Sequence, residues 1–152
     1  IIIGWSTWER EEWLHNNVYY QVTASGTDSV PKELHDKYKQ WVISTTDTVA
    51  KNELHWHDEI YKFHNSLNDR GIKHLFFNTY RLFHHIELNN LPKYDWGNNY
   101  IAPYDIDQTY YFWLKSQGFD TVNPNSYHFG ADAHATWAEF LYTKITESGL
   151  TK

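Results

Sequence analysis

Two short apolar runs separated by a long helical stretch constrain this chain most. Ile1-Ile2-Ile3-Gly4-Trp5 is continuous, apolar and β-branched, the pattern of a strand buried on both faces of a parallel sheet. Ile72 to Asn78, reading Ile-Lys-His-Leu-Phe-Phe-Asn, is a second strand. Between them Leu34, Tyr38, Trp41, Val42 and Val49 recur at helical spacing, and a second helical stretch follows through Leu54, Ile60, Tyr61, His64 and Leu67. Strand, helical crossover and strand form a βαβ unit, which implies a parallel sheet and a right-handed crossover.

Local signals divide the rest. Ser6-Thr7-Trp8-Glu9 matches a capping box and predicts a short helix from Thr7 to Leu14. Val18 to Thr23 alternates enough for a brief strand or an extended arm, and Ser25 to Ser29 is rich in turn residues. Pro31 suits a first helical position, with Asp28 or Ser29 near the cap, and Asp69-Arg70-Gly71 ends the helical stretch. From Leu88 to Asp105 the chain is irregular, with Tyr94, Trp96, Tyr100 and Tyr104 among prolines, asparagines and a glycine. Such a loop is either a platform on which flat rings stack against sugars or, more commonly, cover for a sheet edge. Asp107 to Gln117 reads as a helix closed by Gly118, and Ala131 to Glu147 as a terminal helix closed by Gly149.

The 152 residues suit one α/β domain spanning 1–152. Thirteen basic against nineteen acidic residues leave a formal charge of −6, and the basic ones form no stripe, which argues against nucleic acid as a partner. No apolar run approaches the length of a membrane span. Cysteine is absent, so disulfides and thiolate metal sites are excluded. Methionine is absent as well, and the abrupt start at Ile1 reads as a processed, truncated or partial frame.

Ten histidines raise the question of a metal. No two stand three or four apart, the spacing that puts two ligands on one helical face. His55 and His57 fall on opposite sides of a helix, while His74 and the pair His84-His85 would need tertiary convergence. The reading is no metal and no cofactor. His134 shares a helical face with Ala138, Leu141 and Ile145 and suits a packed, hydrogen-bonded histidine. His128 differs: it sits in the loop Asn125-Ser126-Tyr127-His128 just ahead of the terminal helix, flanked by Tyr127 and Phe129. It is either a general base or a helix-entry residue that bonds free backbone. Ser6, after the first strand, lies in Gly4-Trp5-Ser6-Thr7-Trp8, a partial nucleophile elbow whose last small residue has become Trp; helix capping explains it better. Arg10 can face a carboxylate or phosphate at the strand end, or pair with a neighbouring acid.

Two segments, Ile3-Gly4-Trp5-Ser6-Thr7-Trp8-Glu9-Arg10 and Asn125-Ser126-Tyr127-His128 with Ala133-His134 and Trp137-Ala138, resemble the C-terminal part of SGNH/GDSL-type hydrolases, in particular members carried by marine bacteriophages. The resemblance implies a three-layer, flavodoxin-like parallel sheet lacking its N-terminal strands, in a soluble protein of the infected bacterial cytoplasm. The family's terminal Asp-x-x-His places His128 on the histidine and Asn125 on the aspartate. Its Gly-x-Asn-Asp block places Gly4 on the glycine and Ser6 on the oxyanion-binding asparagine. The Gly-Asp-Ser block that carries the nucleophile has no counterpart here. The implied parent hydrolyses an ester on a carbohydrate or similar small substrate, with Arg10 and Asn78 as further substrate contacts at strand ends. Without the serine of that block no acyl-enzyme forms, and an amide in place of the orienting carboxylate also weakens support for the imidazolium, so the chain itself is expected to be inactive. Two rival readings are a non-catalytic glycan-binding module and a structural or interaction protein of a virus particle. An unpaired outer edge on the strand Ile1–Trp5 would favour self-association.

Overall fold

The computed structural model describes residues 1–8, 10–24, 26, 30–124 and 126–150, with the backbone alone at 46 and 47. It is a mixed α/β structure with a small parallel sheet. The elements in order are β1 (Ile2–Trp5), β2 (Glu11–His15), β3 (Val18–Val22), a 3-10 turn (Lys32–Leu34), α1 (His35–Asp69), β4 (Leu75–Asn78), α2 (His84–Leu88), a 3-10 turn (Ile106–Gln108), α3 (Tyr110–Ser116) and α4 (Ala131–Glu147). They pack as two compact units, one of residues 1–6 and 58–152 and the other of residues 7–57.

In the first unit β1 and β4 pair in parallel, with Ile2 opposite Leu75 and Trp5 opposite Asn78. The expected strand pairing is therefore present, although the second strand begins at Leu75 rather than Ile72. The expectation that the first strand is buried on both faces does not hold. Ile2 is 51 % exposed, and exposed and half-buried residues alternate along β1. Backbone bonds such as Leu75 N–H to Ile1 C=O and Thr79 N–H to Trp5 C=O tie one edge of β1 to β4. In a parallel ladder this leaves the polar groups of Ile2 and Gly4 directed to the other edge, which pairs with no strand among the described residues. Gly4 is required sterically: a Cβ there would lie 2.5 Å from the Phe77 ring.

The far edge of β4 is covered by the irregular loop. Phe76 N–H donates to Asn99 C=O at 2.7 Å and Ile101 N–H to Phe76 C=O at 2.9 Å, forming an isolated parallel bridge between Phe76 and Tyr100. Of the two roles considered for this loop, the structure shows the covering one. Trp96 and Tyr100 are buried, so their rings pack inside the protein. A second apolar group, Leu114, Phe129, Ala133 and Trp137, joins α3 to α4, with Phe77 packed against it. The helix expected over 107–117 is divided at Thr109, whose extended backbone ends the 3-10 turn and whose hydroxyl caps α3 by accepting from Phe112 N–H.

The second unit corrects the expected helix from Thr7 to Leu14. Residues 11–15 instead form one strand of an antiparallel hairpin, with Trp13 opposite Tyr20. The turn explains the choice: Asn16 and Asn17 adopt φ of 49° and 61°, the left-handed pair that a two-residue hairpin turn needs. Trp13 and Val22 then bury against Val30 and Tyr38, with Leu34, Trp41 and Val42 packed on them. Glu11 accepts from the indoles of both Trp13 and Trp41 at 2.8 Å. Glu9 of the proposed capping box, and Asp28 and Ser29 of the proposed cap before Pro31, lie outside the described residues. The two expected helical stretches are one 35-residue helix. Its polar middle remains helical, with the Ser44 and Thr48 hydroxyls bonding back to the carbonyls of Trp41 and Ser44.

Candidate functional site

The C-terminal ends of β1 and β4 form the end at which open parallel sheets hold ligands. Two donors from Thr79, its N–H at 2.7 Å and its hydroxyl at 2.9 Å, converge on the Trp5 carbonyl and clamp the strand ends together. Thr79 C=O in turn accepts from Tyr111 N–H at 2.9 Å, which anchors the first turn of α3 at the same place. Ser6, the residue after β1, is half-buried at this end.

Tyr80 follows Thr79 and starts an aromatic cluster. Its ring stacks on Phe112 (5.7 Å, 20°) and meets Tyr111 and Tyr127 edge-on at 5.1 and 4.9 Å. Burial, then the neighbouring phenol of Tyr127, push the Tyr80 hydroxyl above its ordinary pKa, while Arg81 pulls it down. Tyr80 is therefore a neutral phenol throughout the physiological range. Sequence reasoning passed over it, because the signal was only its place two residues beyond a predicted strand end.

The histidine loop reaches this cluster through its aromatic residues. Tyr127 contacts both Tyr80 and Tyr111, and buried Phe129 packs on Tyr110 and Tyr111 at 5.6 and 5.5 Å. Backbone bonds hold the segment: His128 N–H donates to the Ser126 hydroxyl at 3.0 Å, and Val122 N–H to His128 C=O at 2.9 Å. Since Tyr127 and Phe129 both rest on Tyr111, the intervening imidazole is left on the outer side of the segment, and His128 is exposed. The loop is thus at the strand ends while its imidazole faces solvent. Asn125 lies outside the described residues.

The remaining site candidates are placed differently. Asn78 is 1 % exposed; its Oδ1 accepts from the Tyr100 hydroxyl at 2.7 Å and its Nδ2 donates to Pro103 C=O at 3.2 Å. Both ends of the carboxamide are therefore engaged in holding the covering loop. Arg10 is exposed and belongs to the other compact unit.

A different pair of histidines does converge. His74 Nδ1 lies 2.9 Å from Ile72 C=O, His64 Nδ1 lies 2.8 Å from His74 Nε2, and Asn68 Nδ2 lies 2.9 Å from His64 Nε2. The carbonyl can only accept, so His74 carries its proton on Nδ1 and offers Nε2 to His64. His64 then donates from Nδ1 and accepts at Nε2 from Asn68. All three contacts are satisfied with both rings neutral. Burial, then the proximity of His74, lower the His64 pKa, with Asp95 opposing. The arrangement fastens the end of α1 to the approach to β4. His57 is buried and His55 exposed, on opposite sides of α1 as their spacing implies. His134 Nδ1 lies 3.2 Å from the Tyr110 hydroxyl, with the two rings stacked. Among the described residues no three His, Asp or Glu side chains are placed to hold a metal ion, and no helix is long and apolar enough to cross a membrane.

In the covering loop Tyr94 stacks on Tyr61 at 3.9 Å and donates to Asp58 at 2.7 Å. That carboxylate, with burial, pushes the Tyr94 hydroxyl up to about 12. The Tyr104 hydroxyl accepts from Trp96 Nε1 and Tyr94 N–H, so this loop too is held by its own aromatic residues.

Comparison with protein-family models, with curated proteins and with solved structures finds no match to this chain.

Proposed function

We propose that the chain derives from an SGNH-type ester hydrolase, that it forms part of a three-layer α/β sheet, and that the strand ends beside Ser6 and the 126–129 segment are its substrate-binding end. The supporting observation is the packing of Tyr127 on Tyr80, two residues past β4, which sets the histidine-bearing loop at the same end of the sheet as Ser6. In this reading Ser6 contributes to oxyanion binding. His128 is the base for a serine supplied by a Gly-Asp-Ser segment not found among the 152 residues, and Asn125 orients the imidazole. The imidazole must rotate inward from its exposed position to act. The substrate is an ester of a carbohydrate or another small molecule, and neither a cofactor nor a metal takes part. The open edge of β1 is the surface through which the isolated chain self-associates.

Amide chemical-shift mapping tests the assignment of the binding end. Titration with methyl acetate is expected to move Ser6, Thr79, Tyr80 and residues 126–129 together, and shifts confined to other regions would overturn it. The missing nucleophile predicts that the chain and its His128→Ala variant hydrolyse 4-nitrophenyl acetate at the same rate. Turnover that depends on His128 would show that the nucleophile is already in this chain.

A further inference from the structure

The cluster at the strand ends has a chemistry of its own. Tyr127 is 62 % exposed, yet its ring meets Tyr80 at 62° and Tyr111 at 60°. Tyr111 meets Phe112 edge-on at 5.1 Å, and Phe112 stacks on Tyr80. Each ring is therefore fixed by at least two others, and the outermost one projects into solvent beside His128. Tyr111 is further fixed from below by Phe129 and by its backbone bond to Thr79. Aromatic rings add to one another in edge-on or offset geometry, and each such pair is favourable beyond the area that it buries. A preformed group of four rings with one exposed member meets little ordering cost when a further ring joins it. The surface consists of ring faces, ring edges and phenol hydroxyls. It suits a planar aromatic group that carries a hydrogen-bond acceptor better than it suits an aliphatic or polyhydroxylated one.

We propose that Tyr80, Tyr111, Phe112 and Tyr127 form a subsite for a planar aromatic group, the acyl part of the ester. The assignment rests on the hydrolase reading for the word ester, and on the cluster geometry alone for the aromatic ring. Tyr127 is a binding residue here, and its neighbours are positioning residues.

The test uses the whole chain with methyl 4-hydroxybenzoate as the probe and methyl acetate and methyl β-glucoside as controls, followed by saturation-transfer NMR and amide shift mapping. The aromatic ester is expected to bind more tightly than either control and to shift Tyr80, Tyr111 and Tyr127. Tyr127→Ala should weaken its binding by about two- to tenfold, while Tyr127→Phe, which keeps the ring, should retain most of it. An unchanged circular dichroism spectrum shows that the variants fold, as the exposure of Tyr127 leads one to expect. Equal affinity for all three probes, or aromatic binding insensitive to Tyr127→Ala, would overturn the subsite. The two readings fail differently. Shifts at Ser6 and residues 126–129 with every ester, but no preference for the aromatic one, would remove the subsite and leave the binding end. Ring binding at the cluster that leaves Ser6 and His128 unmoved would keep an aromatic site and remove its link to ester chemistry.

Discussion

Replacing Asn78 separates a substrate contact from a buried fastening. Its carboxamide receives the Tyr100 hydroxyl and donates to the Pro103 carbonyl, and the side chain is almost fully enclosed. Asn78→Ala removes both bonds and leaves two buried polar groups without this partner, at about 1–3 kcal/mol each. A total near 4 kcal/mol is a large part of the roughly 5–15 kcal/mol that holds a domain together. For a chain of this size it corresponds to a fall in Tm of about 8–16 °C. Asn78→Asp is the sharper variant because the shape is nearly unchanged. The Pro103 carbonyl can only accept, so the introduced carboxyl must be protonated to bond it, and its pKa in the folded state is raised. A group raised on folding contributes its full stability below the unfolded value, about 3.9, and loses it as pH rises through the folded value. Compared with the parent protein, Asn78→Asp should therefore be nearly as stable at pH 4 and progressively less so toward pH 7. The loss at pH 7 reaches at most about 4 kcal/mol. Urea unfolding followed by tryptophan fluorescence at a series of pH values measures both variants. A loss below about 1 kcal/mol for Asn78→Ala, or a flat difference for Asn78→Asp between pH 4 and 7, would refute the fastening and return Asn78 to the binding surface.

Two further outcomes follow from contacts in the same unit. Gly4→Ala drives a methyl group to 2.5 Å from the Phe77 ring, which packs on Trp137 at 5.3 Å, so it should destabilise by about 1–3 kcal/mol; Phe77→Leu in the same chain should recover part of this in a double-mutant cycle of thermal melts, and strict additivity would contradict the contact. His64 has its pKa lowered by burial first, so the unfolded chain takes up a proton below about pH 6.5 that the folded one resists. Stability should fall as pH drops below that value, with a slope of up to about 1.4 kcal/mol per pH unit, and the slope should flatten in His64→Gln; an identical slope in the variant would show that His64 is not the group responsible.

The parallel pairing of Ile1–Trp5 with the segment before Thr79 was legible because an apolar β-branched run, a helical crossover and a second such run admit few other arrangements. The terminal helix was legible because α4 carries its own period and glycine stop. The stretch from Thr7 to Leu14 was not. Its capping pattern is local, whereas the hairpin is decided by Asn16 and Asn17 and by Tyr38 and Trp41, which come later in the chain and cover Trp13 and Val22. The long helix was legible as two stretches, and its end at Asp69 as well, but not as one continuous element. The run between Val49 and Leu54 carries little of the apolar period that marks a helix, so the pattern of residue types did not report that the two stretches join.

The candidate site shows the same division between where a segment goes and where a side chain points. The segment 126–129 lies at the end of the strands, where Tyr127 meets Tyr80. What puts it there is the pair of aromatic residues flanking His128, both of which rest on Tyr111. In an extended segment residues two apart share a side, so the same two contacts that deliver the loop turn the imidazole away from the cluster. Asn78 repeats the lesson: its place at a strand end suggested a ligand contact, yet Tyr100 and Pro103 of the covering loop claim both of its polar atoms. Tyr80, Tyr111 and Tyr127 are also accessible at these strand ends, and sequence patterns of acids, bases and nucleophiles do not single out phenols; their proximity comes from β4, α3 and the 126–129 segment meeting beside Thr79.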